Sequence, residues 1–131
     1  MVPFAARGQV ESALFKCRWI SRIEILAARL AGFSLGGLSA FDIAWANPEL
    51  FRQAGVFSGS FWWRYKPVND ADPDSHRIMH EIVSKSQKRD SMRFWFQCGT
   101  LDELEDRNNN GIIDAIDDTL DLIALLKKLG Y

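Results

Sequence analysis

The 131-residue sequence has little cysteine, few histidines and no excess of charge of either sign. Cys17 and Cys98 are too few for a disulfide framework, so we expect free thiols in a reducing compartment. Its 16 Lys and Arg residues nearly balance its 17 Asp and Glu residues, and the net charge is −1. Because nucleic-acid-binding proteins usually carry a basic excess, we expect no nucleic-acid partner.

The sequence also lacks a long, uninterrupted apolar run. The most apolar stretch, Trp19–Phe33, is broken by Arg22, Glu24 and Arg29, which predicts no transmembrane helix and no membrane partner. Residues 1–9 contain no apolar run before a small-residue cleavage site, so we expect no signal peptide and a cytoplasmic location.

What the sequence does contain is an alternation of strands and helices. Residues 1–30 have mixed periodicity and are poorly assigned, whereas residues 31–131 read as one domain. The predicted elements are strand Ala28–Phe33, helix Leu35–Trp45, strand Gln53–Phe57, a helix from Asp72-Pro73 to about Ser86, strand Arg93–Cys98 and helix Asp117–Leu129. The helix that ends at about Ser86 is expected to bury Ile78, Ile82 and Met79 or Val83. This order predicts an α/β fold with a short parallel sheet and helices on its faces.

The first candidate for chemistry is Gly32-Phe33-Ser34-Leu35-Gly36, at the predicted junction of a strand and a helix. A nucleophilic serine on so sharp a turn needs small neighbours two residues away, and glycine meets that need. The N–H of Leu35 would begin the helix and point to where an oxyanion forms. A close-packed strand–helix turn without chemistry is the alternative.

Asp102 follows the third predicted strand and is the candidate acid, since the chain order in such sites is serine, acid, histidine. Its task would be to orient a histidine and to stabilise the imidazolium. The two histidines, His76 and His80, both precede Asp102 on one predicted helix. We therefore interpret them as ordinary helix residues, and neither is assigned as the base.

A third pattern runs from Asp106 to Asp117 and resembles an EF-hand calcium loop. Oxygen ligands would stand at loop positions 1, 3, 5, 7, 9 and 12, with Gly111 at position 6 and the Ile112 carbonyl at position 7. The candidate ligands are Asp106, Asn108, Asn110, Ile112, Asp114 and Asp117. A plain turn rich in Asn, Asp and Gly is the alternative.

Aromatic residues cluster after the second predicted strand. Phe61, Trp62 and Trp63, together with Phe33 beside the serine, are candidates for an acyl or aryl pocket. The cluster is equally compatible with a lid over the core.

These motifs resemble, in order and spacing, the putative-esterase branch of the α/β-hydrolases, which includes enterochelin esterase, feruloyl esterases and S-formylglutathione hydrolase. The matching segments are Ala-Gly-Phe-Ser-Leu-Gly-Gly-Leu-Ser-Ala-Phe from Ala31, Asn-Pro-Glu-Leu-Phe from Asn47, Ser-Gly-Ser-Phe-Trp-Trp from Ser58 and Cys-Gly-Thr-Leu-Asp-Glu from Cys98. The resemblance implies a partial α/β-hydrolase fold and a serine carboxylic-ester hydrolase. It implies that Ser34 is the nucleophile and matches Asp102 to the acid, with no cofactor for catalysis.

The sequence departs from that family at both ends. Few residues precede Ser34, and the catalytic histidine that members carry after the last helix has no counterpart here. We therefore expect a fragment that lacks a working triad, acts on a small-molecule ester only with an external base, and associates through exposed sheet edges. The rival interpretation is a non-catalytic calcium-binding α/β module; in an esterase, the calcium would be structural.

Overall fold

The computed structural model describes residues 28–131, which form alternating strands and helices. The elements are β1 (Ala28–Phe33), α1 (Leu35–Ala46), β2 (Phe51–Phe57), α2 (Ile78–Ser84), β3 (Arg93–Gln97) and α3 (Asp114–Leu129). The strands pair in parallel in the order β1-β2-β3. The predicted α/β fold with a short parallel sheet is therefore confirmed, whereas the expectations for residues 1–27 lie outside the described residues.

One face of the sheet carries the hydrophobic core. Val56 pairs with Gly32 on one side and with Phe96 on the other, and these alternate positions point toward the helices. Phe41 of α1 is fully buried against this face, with ring centroids 5.1 Å from Phe94 and 5.9 Å from Phe96. Leu122 and Leu126 of α3 and Met79 and Val83 of α2 belong to the same cluster.

The opposite face of the sheet is open in the described part of the protein. The side chains of Phe33, Phe57 and Trp95 alternate with the core positions and are exposed. The described helices thus pack on one face rather than on both. β1 and β3 are the outer strands of this sheet, and association through them stays a prediction.

Helix α2 is shorter than predicted, because Asp72-Pro73 does not begin it. The carbonyl of Pro73 accepts hydrogen bonds from Arg64 (2.7 Å) and Arg107 (3.1 Å), so it is not available to a first helical turn. His76 has a left-handed backbone (φ 65°), which stops a helix from continuing through it. Met79 and Val83 are buried as predicted, whereas Ile78 is only partly buried and Ile82 is exposed.

Helix α3 ends as the sequence predicts but begins earlier, at Asp114. Lys127 and Lys128 lie in its last turn, and Gly130 ends it with a left-handed backbone (φ 96°). Within residues 28–131, no helix combines the length and apolar character needed to span a membrane.

Candidate active site

Ser34 lies on a strained turn between β1 and α1. Its backbone angles are φ 57° and ψ −124°, outside the regions that a serine ordinarily occupies. Its N–H donates to the Phe57 carbonyl at 2.9 Å, and its carbonyl accepts from the N–H of Gly37 and Leu38. The turn is therefore held by the neighbouring strand and by the first turn of α1, and such strain is characteristic of functional sites.

The two glycines around Ser34 are not equivalent. A Cβ on Gly32 would collide with the Gly36 carbonyl, so this position admits only glycine without a backbone shift. A Cβ on Gly36 would meet open space. The predicted steric need for glycine on both sides of the serine is thus correct for Gly32 and wrong for Gly36.

The N–H of Leu35 lies at the N-terminal end of α1, directly after Ser34. Leu35 is the first residue of α1, and the first N–H groups of a helix have no acceptor within it. The positive end of the helix dipole lies at the same point.

Asp102 is held by two donors at the carboxyl edge of the sheet. The Ser58 hydroxyl and the N–H of Gly99 (2.6 Å) both donate to Asp102 Oδ2. These hydrogen bonds, the one from Ser58 above all, lower the pKa of Asp102 below its ordinary value. The carboxylate is therefore ionised at neutral pH, as an acid that orients a base must be.

Ser60 was not predicted as a site residue, yet its hydroxyl lies 3.3 Å from the Ser34 hydroxyl. The N–H of Ser60 also donates to the Ser34 carbonyl at 3.2 Å. Ser58 and Ser60 stand in the Ser-Gly-Ser sequence directly after β2. That position and the resemblance of this segment to the esterase family are the signals that could have identified them.

Neither histidine reaches this edge of the sheet through a hydrogen bond. His80 is buried, and its Nε2 lies 2.9 Å from the Asp118 carbonyl. Burial and the nearby Arg77 lower the pKa of His80 to about 4, so the ring is neutral. His76 Nδ1 lies 3.0 Å from the Tyr65 hydroxyl on the surface. His80 is an ordinary residue of α2, as predicted, whereas His76 lies before α2, so its predicted place on the helix is wrong.

The predicted aromatic pocket separates into different environments. Phe61 is fully buried and packs edge-on against Phe41 at 5.6 Å, so it belongs to the core and cannot line a pocket. Phe33 and Trp63 are exposed. Trp62 lines a cavity of about 830 Å³, but neither Ser34 nor Asp102 is among the residues that line it. Its other lining residues include Arg64, Lys66, Pro67, Val68, Glu103 and Glu105.

The polar groups of the loop from Asp106 to Asp117 form hydrogen bonds with one another. Asp106 accepts hydrogen bonds from the N–H of Asn110 and of Gly111, and the Asn108 and Asn110 amides both donate to Asp117 Oδ2. Asp114, a predicted ligand, instead forms an ion pair with Arg107 at 3.0 Å. Among residues 28–131, no three His, Cys, Asp or Glu side chains are grouped so as to hold a metal.

A buried cluster of charges beneath this loop is absent from the sequence predictions. Asp118 is fully buried and accepts hydrogen bonds from both Arg77 and Arg107, and Arg107 also pairs with Asp74 at 2.5 Å. Burial alone would lower the pKa of Arg107, but its bonds to Asp118 raise it above its ordinary value. We call Asp74, Arg77, Arg107 and Asp118 the arginine–aspartate cluster.

The sequence matches the model of a known protein family. The sequence fits the family described as "Esterase: Putative esterase" over residues 22–128, a range that includes Ser34, Ser58, Ser60 and Asp102. The chain therefore belongs to the putative esterase family, a family of hydrolases, and its sheet and helices represent part of the α/β-hydrolase fold. No curated protein and no solved structure matches it.

Proposed function

We propose that this protein carries the active site of a serine carboxylic-ester hydrolase, in which Ser34 is the nucleophile and Asp102 is the acid. The observation that carries the proposal is the strained backbone of Ser34 at the strand–helix junction. A strained serine of this kind presents its hydroxyl clear of the sheet, beside the first N–H of a helix. Membership of an esterase family supports the same reaction class.

In the proposed reaction, Ser34 Oγ attacks the carbonyl carbon of an ester and passes its proton to a base. The negative charge that develops on the carbonyl oxygen is stabilised by the N–H of Leu35. Asp102 orients the base through its carboxylate. Because His76 and His80 are both engaged elsewhere, the base comes from outside the described site.

A fluorophosphonate probe tests this proposal when it is combined with added imidazole. The probe captures an activated serine, and imidazole can substitute for a missing histidine base. We expect a single adduct by intact mass, formed faster with imidazole and absent in Ser34→Ala.

Ser39→Ala is the matched control, since Ser39 is a nearby serine in α1 whose hydroxyl donates to the Leu35 carbonyl. This variant should be labelled like the unchanged protein. If no adduct forms with or without imidazole, Ser34 is not an activated nucleophile and the proposal fails.

A structural calcium ion in the loop from Asp106 to Asp117 is the second proposal. It is favoured by the Asp-x-Asn-x-Asn-Gly order of the loop and by the left-handed backbone of Gly111 (φ 86°), which makes the sharp turn that a calcium loop of this kind requires. Asn108 and Asn110 donate amide N–H groups to Asp117 Oδ2, so a calcium ion would have to replace these hydrogen bonds. Asp114 is removed from the predicted ligand set because it pairs with Arg107. The ion would fix the start of α3 and would take no part in the chemistry.

Thermal unfolding in calcium and in chelator tests the second proposal. We expect calcium to raise the melting temperature of the unchanged protein and of Ser34→Ala, but not that of Asp106→Ala. Asp121→Ala, which removes a carboxylate outside the loop, should respond to calcium normally. Equal melting temperatures in calcium and chelator would refute the site.

A further inference from the structure

We propose that the Ser58-Gly59-Ser60 turn is a positioning element that holds the nucleophile and the acid in fixed relation, with the Ser58 hydroxyl on Asp102 and the Ser60 hydroxyl on Ser34. The inference rests on the proposed roles of Ser34 and Asp102. It assigns tasks to Ser58 and Ser60, which the matching segments contain but to which they give no role.

The backbone of this turn is tied to all three strand ends. The N–H of Ser58 donates to the carbonyl of Gln97, the last residue of β3, at 2.7 Å. The N–H of Ser60 donates to the Ser34 carbonyl at 3.2 Å, just beyond β1. Because the turn itself follows β2, a displacement of any one strand end would move both hydroxyl contacts.

The turn is also packed too tightly to shift. Ser58 and Ser60 are both buried, and a Cβ on Gly59 would come within 2.5 Å of Val56 Cγ1 and 2.8 Å of Phe61 Cε2. Glycine is therefore required between the two serines. The backbone that carries the two hydroxyl groups is consequently packed on both sides of Gly59.

The two hydroxyls reach different partners, which makes their tasks separable. Ser58 and the N–H of Gly99 both act on Asp102 Oδ2, so Oδ1 is the oxygen available to accept a hydrogen bond from a base. Ser60 Oγ lies 3.3 Å from Ser34 Oγ and orients the nucleophile. Ser58 adopts φ 47°, a left-handed conformation that costs energy for a residue other than glycine.

The test measures the two contacts separately in the full chain. The pKa of Asp102, followed by carbon-detected NMR, should rise in both Ser58→Ala and Ser58→Gly. Glycine relieves the left-handed backbone and alanine does not, so a rise in both variants assigns the effect to the hydroxyl. Ser60→Ala should leave the pKa of Asp102 unchanged.

Fluorophosphonate labelling of Ser34 in the presence of imidazole then reports on Ser60. Labelling should slow severalfold in Ser60→Ala and recover in Ser60→Thr, which restores a hydroxyl. An unchanged pKa of Asp102 in both Ser58 variants, or unchanged labelling in Ser60→Ala, would overturn the inference. If the unchanged protein is not labelled at all, the proposed function fails, while the Asp102 titration still decides whether Ser58 holds that carboxylate.

Discussion

Two polar regions of the molecule differ in the hydrogen bonding and backbone strain of their groups. They are the arginine–aspartate cluster and the serine turn (residues 58–60) with its partners Ser34 and Asp102. In the cluster, the buried Asp118 carboxylate takes hydrogen bonds from two guanidinium groups. Around the serine turn, Ser34 and Ser58 have left-handed φ angles, and Asp102 is exposed. We infer that the cluster serves stability, whereas the strained and partly open site retains capacity for chemistry.

The largest effect should follow from removing the centre of the cluster. Asp118→Ala removes the fully buried carboxylate that Arg77 and Arg107 share. Arg77 keeps its pairs with Asp74 and Asp121, and Arg107 keeps its pairs with Asp74 and Asp114. Breaking a buried ion pair in this way typically costs about 3–5 kcal/mol of unfolding free energy. Urea denaturation measures the loss.

Asp121→Ala is the matched control, because it removes a partner of Arg77 at 2.8 Å whose side chain is 48% exposed. Exposed ion pairs contribute about 0–1 kcal/mol, so this variant should change little. Equal losses in the two variants would mean that burial does not distinguish the cluster from an ordinary surface pair.

The pH dependence of stability should reveal His80, which packs beside the cluster. Burial is the largest effect on the pKa of His80 and lowers it, and the charges of Arg77 and Arg107 act in the same direction. The Asp118 carbonyl and Asp121 raise the pKa, and the balance of these effects brings it to about 4. The unfolded histidine, with an ordinary pKa of about 6.5, binds a proton that the folded ring does not bind until about pH 4. Stability from this group is complete above about pH 6.5 and falls toward pH 4, by up to about 1.4 kcal/mol per pH unit.

Urea titrations between pH 4 and 7 check this slope, with carboxylate contributions removed by comparing variants. His80→Gln should flatten the curve. A His80→Gln curve parallel to that of the unchanged protein would show that His80 is not held neutral.

The strands and the ends of two helices are predictable from sequence because local residues mark them. Gly130 ends α3 through its left-handed backbone, and the apolar run Ala28–Phe33 corresponds to β1. The start of α2 is not predictable in this way. The Pro73 carbonyl, which would accept a hydrogen bond in the first turn of the predicted helix, instead accepts hydrogen bonds from Arg64 and Arg107. Arg107 lies 34 residues away in sequence.

The same limit explains which site residues the sequence reveals. Ser34 stands in a local pattern of glycines, so it is visible without any structure. The contact of Ser58 with Asp102 joins residues 44 positions apart, and that of Arg77 with Asp118 joins residues 41 apart. No local motif encodes such pairs. Phe61 illustrates the converse, since its aromatic neighbours suggest a pocket while the fold buries it.

The smallest predicted effect concerns the strain at Ser34 itself. Alanine there keeps a Cβ at φ 57°, whereas glycine relieves a strain of about 1–3 kcal/mol and loses about 0.5–1 kcal/mol through its greater freedom when unfolded. Ser34→Gly should therefore be more stable than Ser34→Ala by about 1 kcal/mol. Neither variant should be labelled by the fluorophosphonate probe.

The same pair of substitutions at Ser39, within α1, should give the opposite order, because glycine costs about 1 kcal/mol relative to alanine inside a helix. The difference in sign between these two serines, five positions apart, isolates the backbone strain from every other effect of losing a hydroxyl. Should glycine be the less stable replacement at both positions, the Ser34 turn would store no strain. The difference between the arginine–aspartate cluster and the site around Ser34 would then lie in their hydrogen bonds alone, not in backbone strain.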